Sequence, residues 1–179
     1  MTFRYLLKSR ESKAFCSDSQ KGRKTAKLPF AAPLLFLLFS CISYAAEFCI
    51  EDATLKPVPR EAAKAILAWE KEQEFKKCGF EGKTMSLSLP GMGTFRALVV
   101  TTSGGCCCGN ALCPIWVLQP RGSSYSILLS DGGYCMKIGK QKQGKAPDIR
   151  FQASTAGWSQ ESIWKFDGKR YIRVRFITK

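Results

Sequence analysis

Three adjacent cysteines, Cys106, Cys107 and Cys108, followed by a fourth at Cys113, constrain this chain more than any other feature. Successive side chains of a strand point to opposite faces, so three neighbouring cysteines cannot share one face. Residues 103–114 (SGGCCCGNALCP) therefore form an irregular loop, and the apolar runs on either side read as the strands it joins. A Cys108–Cys113 bridge would close a small ring around Gly109, Asn110, Ala111 and Leu112, with Gly109 and Asn110 supplying turn conformations. A second bridge from Cys106 or Cys107 to Cys135 would tie the loop to a following strand. Short disulfide loops gain less stability than long ones, so the main effect expected of the ring is rigidity.

Whether these thiols oxidise depends on the compartment, and the first 45 residues speak to that. Residues 34–42 (LLFLLFSCI) are a short apolar core, preceded by eight Lys/Arg and two acids and followed by Ser43, Tyr44 and Ala45. A basic n-region, a short apolar core and a small-residue site describe a secretory signal. The apolar stretch is shorter than the about 20 residues a membrane span needs. Cleavage is expected after Ala45, dividing the chain into a signal with a long basic n-region (1–45) and a single disulfide-rich domain (46–179). The expected location is periplasmic or secreted. A membrane enters only through a lipid on Cys41 or an uncleaved signal.

Beyond Ala45 the disulfide candidates are Cys49, Cys78, Cys106, Cys107, Cys108, Cys113 and Cys135. The odd count leaves one thiol free, paired between molecules or joined to Cys41. Residues 46–179 carry 20 Lys/Arg against 12 Asp/Glu, a net +8. Such a charge suits an anionic cell-wall component or an acidic protein partner in the envelope. Nucleic acid is not expected there. Lys140, Lys142 and Lys145 lie in an apolar-free loop, and Arg173 and Arg175 on the last strand.

The order of elements reads as α+β. Pro59 opens a helix to about Lys77, with Ala62, Ile66 and Trp69 on its core face and Leu67 and Phe75 beside them. Cys49 and Cys78 flank it, and a bridge between them would pin both ends. From Thr84 the period becomes two: Met85, Leu87 and Leu89 alternate with polar residues. Residues 90–93 turn the chain, 120–123 and 131–133 turn it again, and Asp167-Gly168 is a hairpin signal. Tyr171, Arg173 and Arg175 then alternate with Ile172, Val174 and Phe176, which predicts one solvated basic face. One N-terminal helix packed on an antiparallel sheet of seven to eight short strands, open or barrel-like, follows.

Catalytic signals are few. The chain has no histidine, which removes the commonest general base and the commonest metal ligand. Four thiolates within eight residues could take zinc or Cu(I), but the spacing lacks paired CxxC units. No CxxC of a thiol–disulfide enzyme and no G-x-S-x-G occurs. Ser162 and Lys165 match S-x-x-K, but on a predicted strand and without the partner motifs. Glu70, Glu72 and Glu74 read as the wet face of the helix. No cofactor is expected, and the balance is against an enzyme.

Two resemblances rest on particular residues. Cys108-Gly109 with Cys113, and Trp164-Lys165-Phe166-Asp167-Gly168 with Tyr171, within the element order from about Arg60 to Tyr171, resemble small secreted proteins of Gram-negative bacteria. That likeness implies compartment and fold. The C-x4-C ring followed at once by Ile115, Trp116, Val117 and Leu118 is similar to periplasmic inhibitors of vertebrate-type lysozymes. The likeness implies a rigid disulfide loop that plugs an enzyme's cleft. The ring here contains no histidine, whereas a histidine on the loop matters in those inhibitors, and a +8 chain repels a basic enzyme.

The function expected is that of a non-enzymatic envelope protein presenting the ring at residues 108–113 to a partner, an inhibitor or immunity protein being one version. The alternatives are a basic protein held on anionic envelope components and a Cys-cluster metal or redox protein.

Overall fold

The computed structural model describes residues 44–109, 112–142 and 144–179. The expected signal, with its apolar core and Cys41, lies outside the described residues except for its last two positions. So do Asn110 and Ala111 of the ring, and Gln143. Among the described residues no helix is long and apolar enough to cross a membrane.

The described chain forms two five-stranded sheets, antiparallel at every pairing. The first is a meander of β2 (Lys56–Pro57), β3 (Phe80–Leu89), β4 (Gly93–Thr102), β5 (Cys113–Arg121) and β6 (Ser124–Gly133). In the second, β1 (Tyr44–Cys49) lies on the outer edge of β7 (Cys135–Gly139). There β8 (Ile149–Thr155), β9 (Trp158–Phe166) and β10 (Tyr171–Thr178) follow in order. Helix α1 (Arg60–Trp69) and a short 3-10 turn (Gln73–Lys77) connect β2 to β3.

Packing explains the sequence pattern. Met85, Leu87 and Leu89 of β3 point between the sheets, where they meet Phe48, Ile115, Val117, Met136, Ile149 and Phe151. The other face of the first sheet presents Phe80, Leu98, Val100, Trp116 and Leu118, which Ala62, Ile66 and Phe75 cover. Strands β4 and β5 are thus buried on both faces, so Ala97–Val100 and Ile115–Leu118 are continuously apolar where β3 alternates. Burying side chains of this size stabilises by roughly 1.5–3 kcal/mol each. Trp116 is fully buried, edge-on to Phe75 (5.6 Å) and Phe80 (5.7 Å), and its Nε1–H donates to Glu70 Oε1 at 2.7 Å. Truncating it would open a cavity and orphan that carboxylate.

The structure corrects several expectations. There are ten strands among the described residues rather than seven or eight, in two sheets, and neither closes into a barrel. The helix ends at Trp69 instead of Lys77, because Glu70 turns extended and the chain dips so that Phe75 reaches Trp116. Trp69 is exposed, since the inward position one turn after Ile66 is Glu70, whose carboxylate takes the Trp116 proton. Glu70 is therefore no wet-face residue. Residues 131–133 are not a turn but the end of β6, after which Tyr134 carries the chain into the second sheet. Gly133 suits this crossing, since a Cβ there would sit 3.4 Å from both the Gln152 carbonyl oxygen and the Phe151 side chain.

The last strand departs most from its pattern. A bulge between Arg173 and Arg175 breaks the alternation, so the two arginines do not share a face. Arg173 stands over the rings of Trp164 (5.9 Å) and Phe176 (5.2 Å), 4.0 Å from Asp131, while Tyr171 is buried. Ile172, Val174 and Phe176 are exposed instead of forming the inner face.

Candidate functional site: the cysteine loop

The loop leaves β4 at Thr102 and re-enters the sheet at Cys113. Its first leg is a 3-10 turn, Ser103–Gly105, anchored where the Ser103 N–H donates to the Gly79 carbonyl at 2.9 Å. The Thr102 hydroxyl donates to the Cys106 carbonyl, and the Cys108 N–H to that of Gly105 at 3.1 Å. Gly109 N–H donates to the Leu112 carbonyl at 2.8 Å, closing the ring's neck. Cys107 has φ +59°, the sole non-glycine left-handed backbone among the described residues. A β-carbon there is strained, and the flanking covalent ties hold it in place.

Three disulfides form: Cys49–Cys135, Cys78–Cys106 and Cys108–Cys113. The 108–113 ring is as expected, while two other pairings differ. Cys49 does not bridge Cys78, and Cys135 does not bridge the loop. Strand β1 pairs with β7 so that Cys49 lies directly opposite Cys135, and Cys78 enters β3 beside the loop's first leg. The odd thiol is Cys107, exposed, 3.3 Å from the Cys78 sulfur and 4.0 Å from that of Cys106. These three sulfurs lie within 4.8 Å of one another. With two in a disulfide, one thiolate is left, too few for the four ligands of structural zinc. The cluster's chemistry is that of a thiol held against a disulfide.

Beside the loop is an open hollow of about 280 Å³. Glu70, Glu72, Phe75, Cys107, Leu112 and Trp116 line it, and Asp131 borders it. Among the described residues its lining contains no Lys or Arg, although the chain as a whole is basic.

Asp131 is a residue that sequence reasoning missed, having been assigned to a turn. Its carboxylate accepts from the Ser162 hydroxyl, from Trp164 Nε1 at 2.7 Å and from the Gly132 N–H at 2.9 Å. Arg173 lies 4.0 Å away. The cluster locks the edge of the first sheet to β9 of the second. Ser162 is fully buried, which removes the S-x-x-K serine from any role as an exposed nucleophile. No signal in the sequence joins positions 131, 162 and 164.

The remaining basic candidates separate. Lys140, Lys142 and Lys145 project from the β7–β8 connection beside Lys165, whereas Arg173 and Arg175 stand on opposite faces of β10. A hollow of about 410 Å³ on the outer face of the second sheet holds Glu47 and Glu161. Lys137 pairs with the first at 3.3 Å and Arg150 with the second at 3.3 Å, so it presents ion pairs instead of open acids. Next to it Tyr134 donates to Glu51, and that hydrogen bond raises the phenol above its ordinary pKa. No protein-family model, curated protein or solved structure matches the chain.

Proposed function

We propose that this chain is a non-enzymatic envelope protein, periplasmic or secreted, that binds a protein partner through the loop at residues 103–114. The observation that carries the reading is the double tie: Cys78–Cys106 holds the first leg and Cys108–Cys113 the second, over a sheet buried on both faces. A loop ordered before binding loses less entropy when a partner docks. The three disulfides also suit an oxidising compartment. The acidic hollow beside the loop favours a partner that presents a basic side chain there, in spite of the chain's net positive charge. Inhibition of, or immunity to, a cell-wall-active enzyme is the version that the resemblance to lysozyme inhibitors suggests.

The test is the affinity of a partner purified from the envelope for the wild type, for N110A/L112A and for E72K, at low and at high salt. The expected result is binding that persists at high salt, falls about tenfold or more in the loop variant and weakens in E72K. Salt-sensitive retention on peptidoglycan, unchanged by either variant, would replace this reading with that of a basic structural protein.

A further inference from the structure

At the end of the body away from the cysteine loop, the β7–β8 connection, the β9–β10 turn and Pro90 line an open cleft of about 710 Å³. Ligand sites commonly have volumes of a few hundred to about 1,000 Å³. We propose that this cleft is a binding site for a compact ligand bearing two or more phosphate groups. The inference is independent of the function assigned to the cysteine loop.

Charge carries the first part of the argument. Lys140, Lys142, Lys145, Lys165 and Arg150 line the cleft, against only Asp148 and Asp167. Neither acid is at liberty to neutralise the loop. Asp167 accepts from the backbone N–H groups of Arg170 and Lys169, both at 2.8 Å, and these hold its carboxyl below the usual range. Asp148 faces Lys165 at 4.0 Å, and Arg150 is engaged by Glu161 at 3.3 Å. Lys140, Lys142 and Lys145 have no carboxylate partner among the described residues. Three like charges within six residues repel one another, and the unpaired cations raise the local concentration of anions.

The backbone keeps those lysines together despite the repulsion. Gly139 N–H donates to the Asp148 carbonyl at 2.8 Å and closes the base of the connection. Lys145 N–H donates to the Lys142 carbonyl at 3.0 Å, and Gly144 takes φ +70°, a conformation costly for other residues. Side-chain chemistry selects the anion. An arginine fork pairs with carboxylate and phosphate alike, and the one arginine of the cleft is already engaged by Glu161. The unpaired ammonium groups act as point charges, and phosphates, with several negative charges on distributed oxygens, neutralise more of them than a single carboxylate does.

The floor gives the ligand's other half. Pro90, Ala146 and Phe166 supply apolar surface under the lysines. Phe166 packs on Tyr171 at 5.4 Å, and the buried Tyr171 hydroxyl donates to the Pro147 carbonyl at 3.0 Å, which fixes both the floor and the foot of the connection. An apolar floor under clustered cations fits a carbon skeleton that carries phosphates.

The test is a titration of ¹⁵N-labelled protein with sodium pyrophosphate at constant ionic strength. Saturable amide shifts are expected at Gly139, Gly144, Asp148 and Gly168, weakened about tenfold or more in K140E/K142E. Both substituted side chains are exposed, so the variant's other resonances should be unchanged. A parallel sedimentation with vesicles of diphosphatidylglycerol, a lipid with two phosphates, and of phosphatidylcholine separates the sources of phosphate. Capture by the diphosphatidylglycerol vesicles and not by the phosphatidylcholine ones, lost in the variant, assigns a lipid headgroup; pyrophosphate binding without capture assigns a soluble phosphorylated compound. Shifts that never saturate, that spread to Lys64 and Arg175, or that persist in the variant would overturn the proposal.

Discussion

The β4–β5 loop, the β6–β7 crossing and the end of β1 meet at one end of the two-sheet body, and all three disulfides lie there. The β3–β4, β5–β6, β7–β8 and β9–β10 connections meet at the other, which has none. Connection type accounts for the difference. Each connection at the second end joins neighbouring strands of one sheet, and ladder hydrogen bonds with a few left-handed glycines suffice to close it. At the first end the chain makes an irregular loop and passes between sheets, where no ladder runs. Cys78–Cys106 and Cys108–Cys113 hold the irregular loop, and Cys49–Cys135 closes the end of the β1–β7 ladder beside the crossing. In the two proposed roles a fixed loop would select shape, whereas long lysines would adapt to charge.

Removing ties should show this asymmetry most strongly. Cys49–Cys135 spans 86 residues and Cys108–Cys113 only 5. In the chain-entropy picture C49A/C135A loses about 4.5 kcal/mol and C108A/C113A about 2 kcal/mol. K140E/K142E at the other end should stay within about 0.5 kcal/mol of wild type. Urea midpoints of the three variants measure the order. Equal losses from both disulfide variants would mean that the long bridge does not organise this end.

Within the tied end, Cys107 sharpens the comparison further. Its sulfur lies 3.3 Å from that of Cys78, close to a bonding partner's position. In C106S, Cys78 is expected to pair with Cys107, leaving no free thiol by intact mass and alkylation. C78S should instead lose the bridge and about 3.5 kcal/mol. Two free thiols in C106S would show that the left-handed backbone at Cys107 prevents the exchange.

The parts of the fold legible in the sequence were those decided locally. Residues 90–92 and Asp167-Gly168 carry their own turn chemistry and lie between paired strands as expected, while of the turn expected at 120–123 only Gly122-Ser123 turns and Pro120 and Arg121 extend β5. Helix α1 was legible at its start, where the Ala62 and Ala63 N–H groups reach the Pro59 carbonyl. Its end was not, because residues 70–77 favour helix until Phe75 and Glu70 are required by Trp116. The 108–113 ring was legible because its ends are near in sequence. The Cys49–Cys135 pairing was not, since it follows from which strands neighbour each other. Likewise the alternation of β10 gives no sign of the bulge that parts Arg173 from Arg175.

At the untied end a single hydroxyl should matter more than any lysine. Tyr171 is buried, and burial pushes its phenol above the ordinary range. Y171F leaves the Pro147 carbonyl without its donor, at a cost of about 1–2 kcal/mol, read as a lower Tm. Pyrophosphate binding should weaken with it as the foot of the β7–β8 connection loosens. A variant with full stability would move the support of that connection to the Gly139–Asp148 hydrogen bond alone.

The smallest effect expected is electrostatic and compares two acids. Lys83 at 2.6 Å, with the hydroxyl and N–H of Thr54, holds the Asp52 carboxyl well below the usual range. Asp167 is lowered mainly by backbone N–H groups at the untied end. Both folded values lie under the ordinary 3.8, so the stability each contributes is fully present above that pH. It is lost as pH falls through the folded values, when the folded state takes up protons later than the unfolded one. D52N removes one such term, and the drop in Tm below about pH 4 should become shallower. Asp167 is exposed and the Asp52–Lys83 pair is only partly buried, so water still screens the ion pair and the change is slight. Salt separates the two acids. Added salt should weaken the Asp52 contribution, made by an ammonium, more than the Asp167 contribution, made by fixed peptide dipoles. An acid flank of D52N identical to wild type at low salt would mean that Asp52 and Lys83 are equally close in the unfolded chain, and that the tie between the β1–β2 segment and β3 adds nothing on folding.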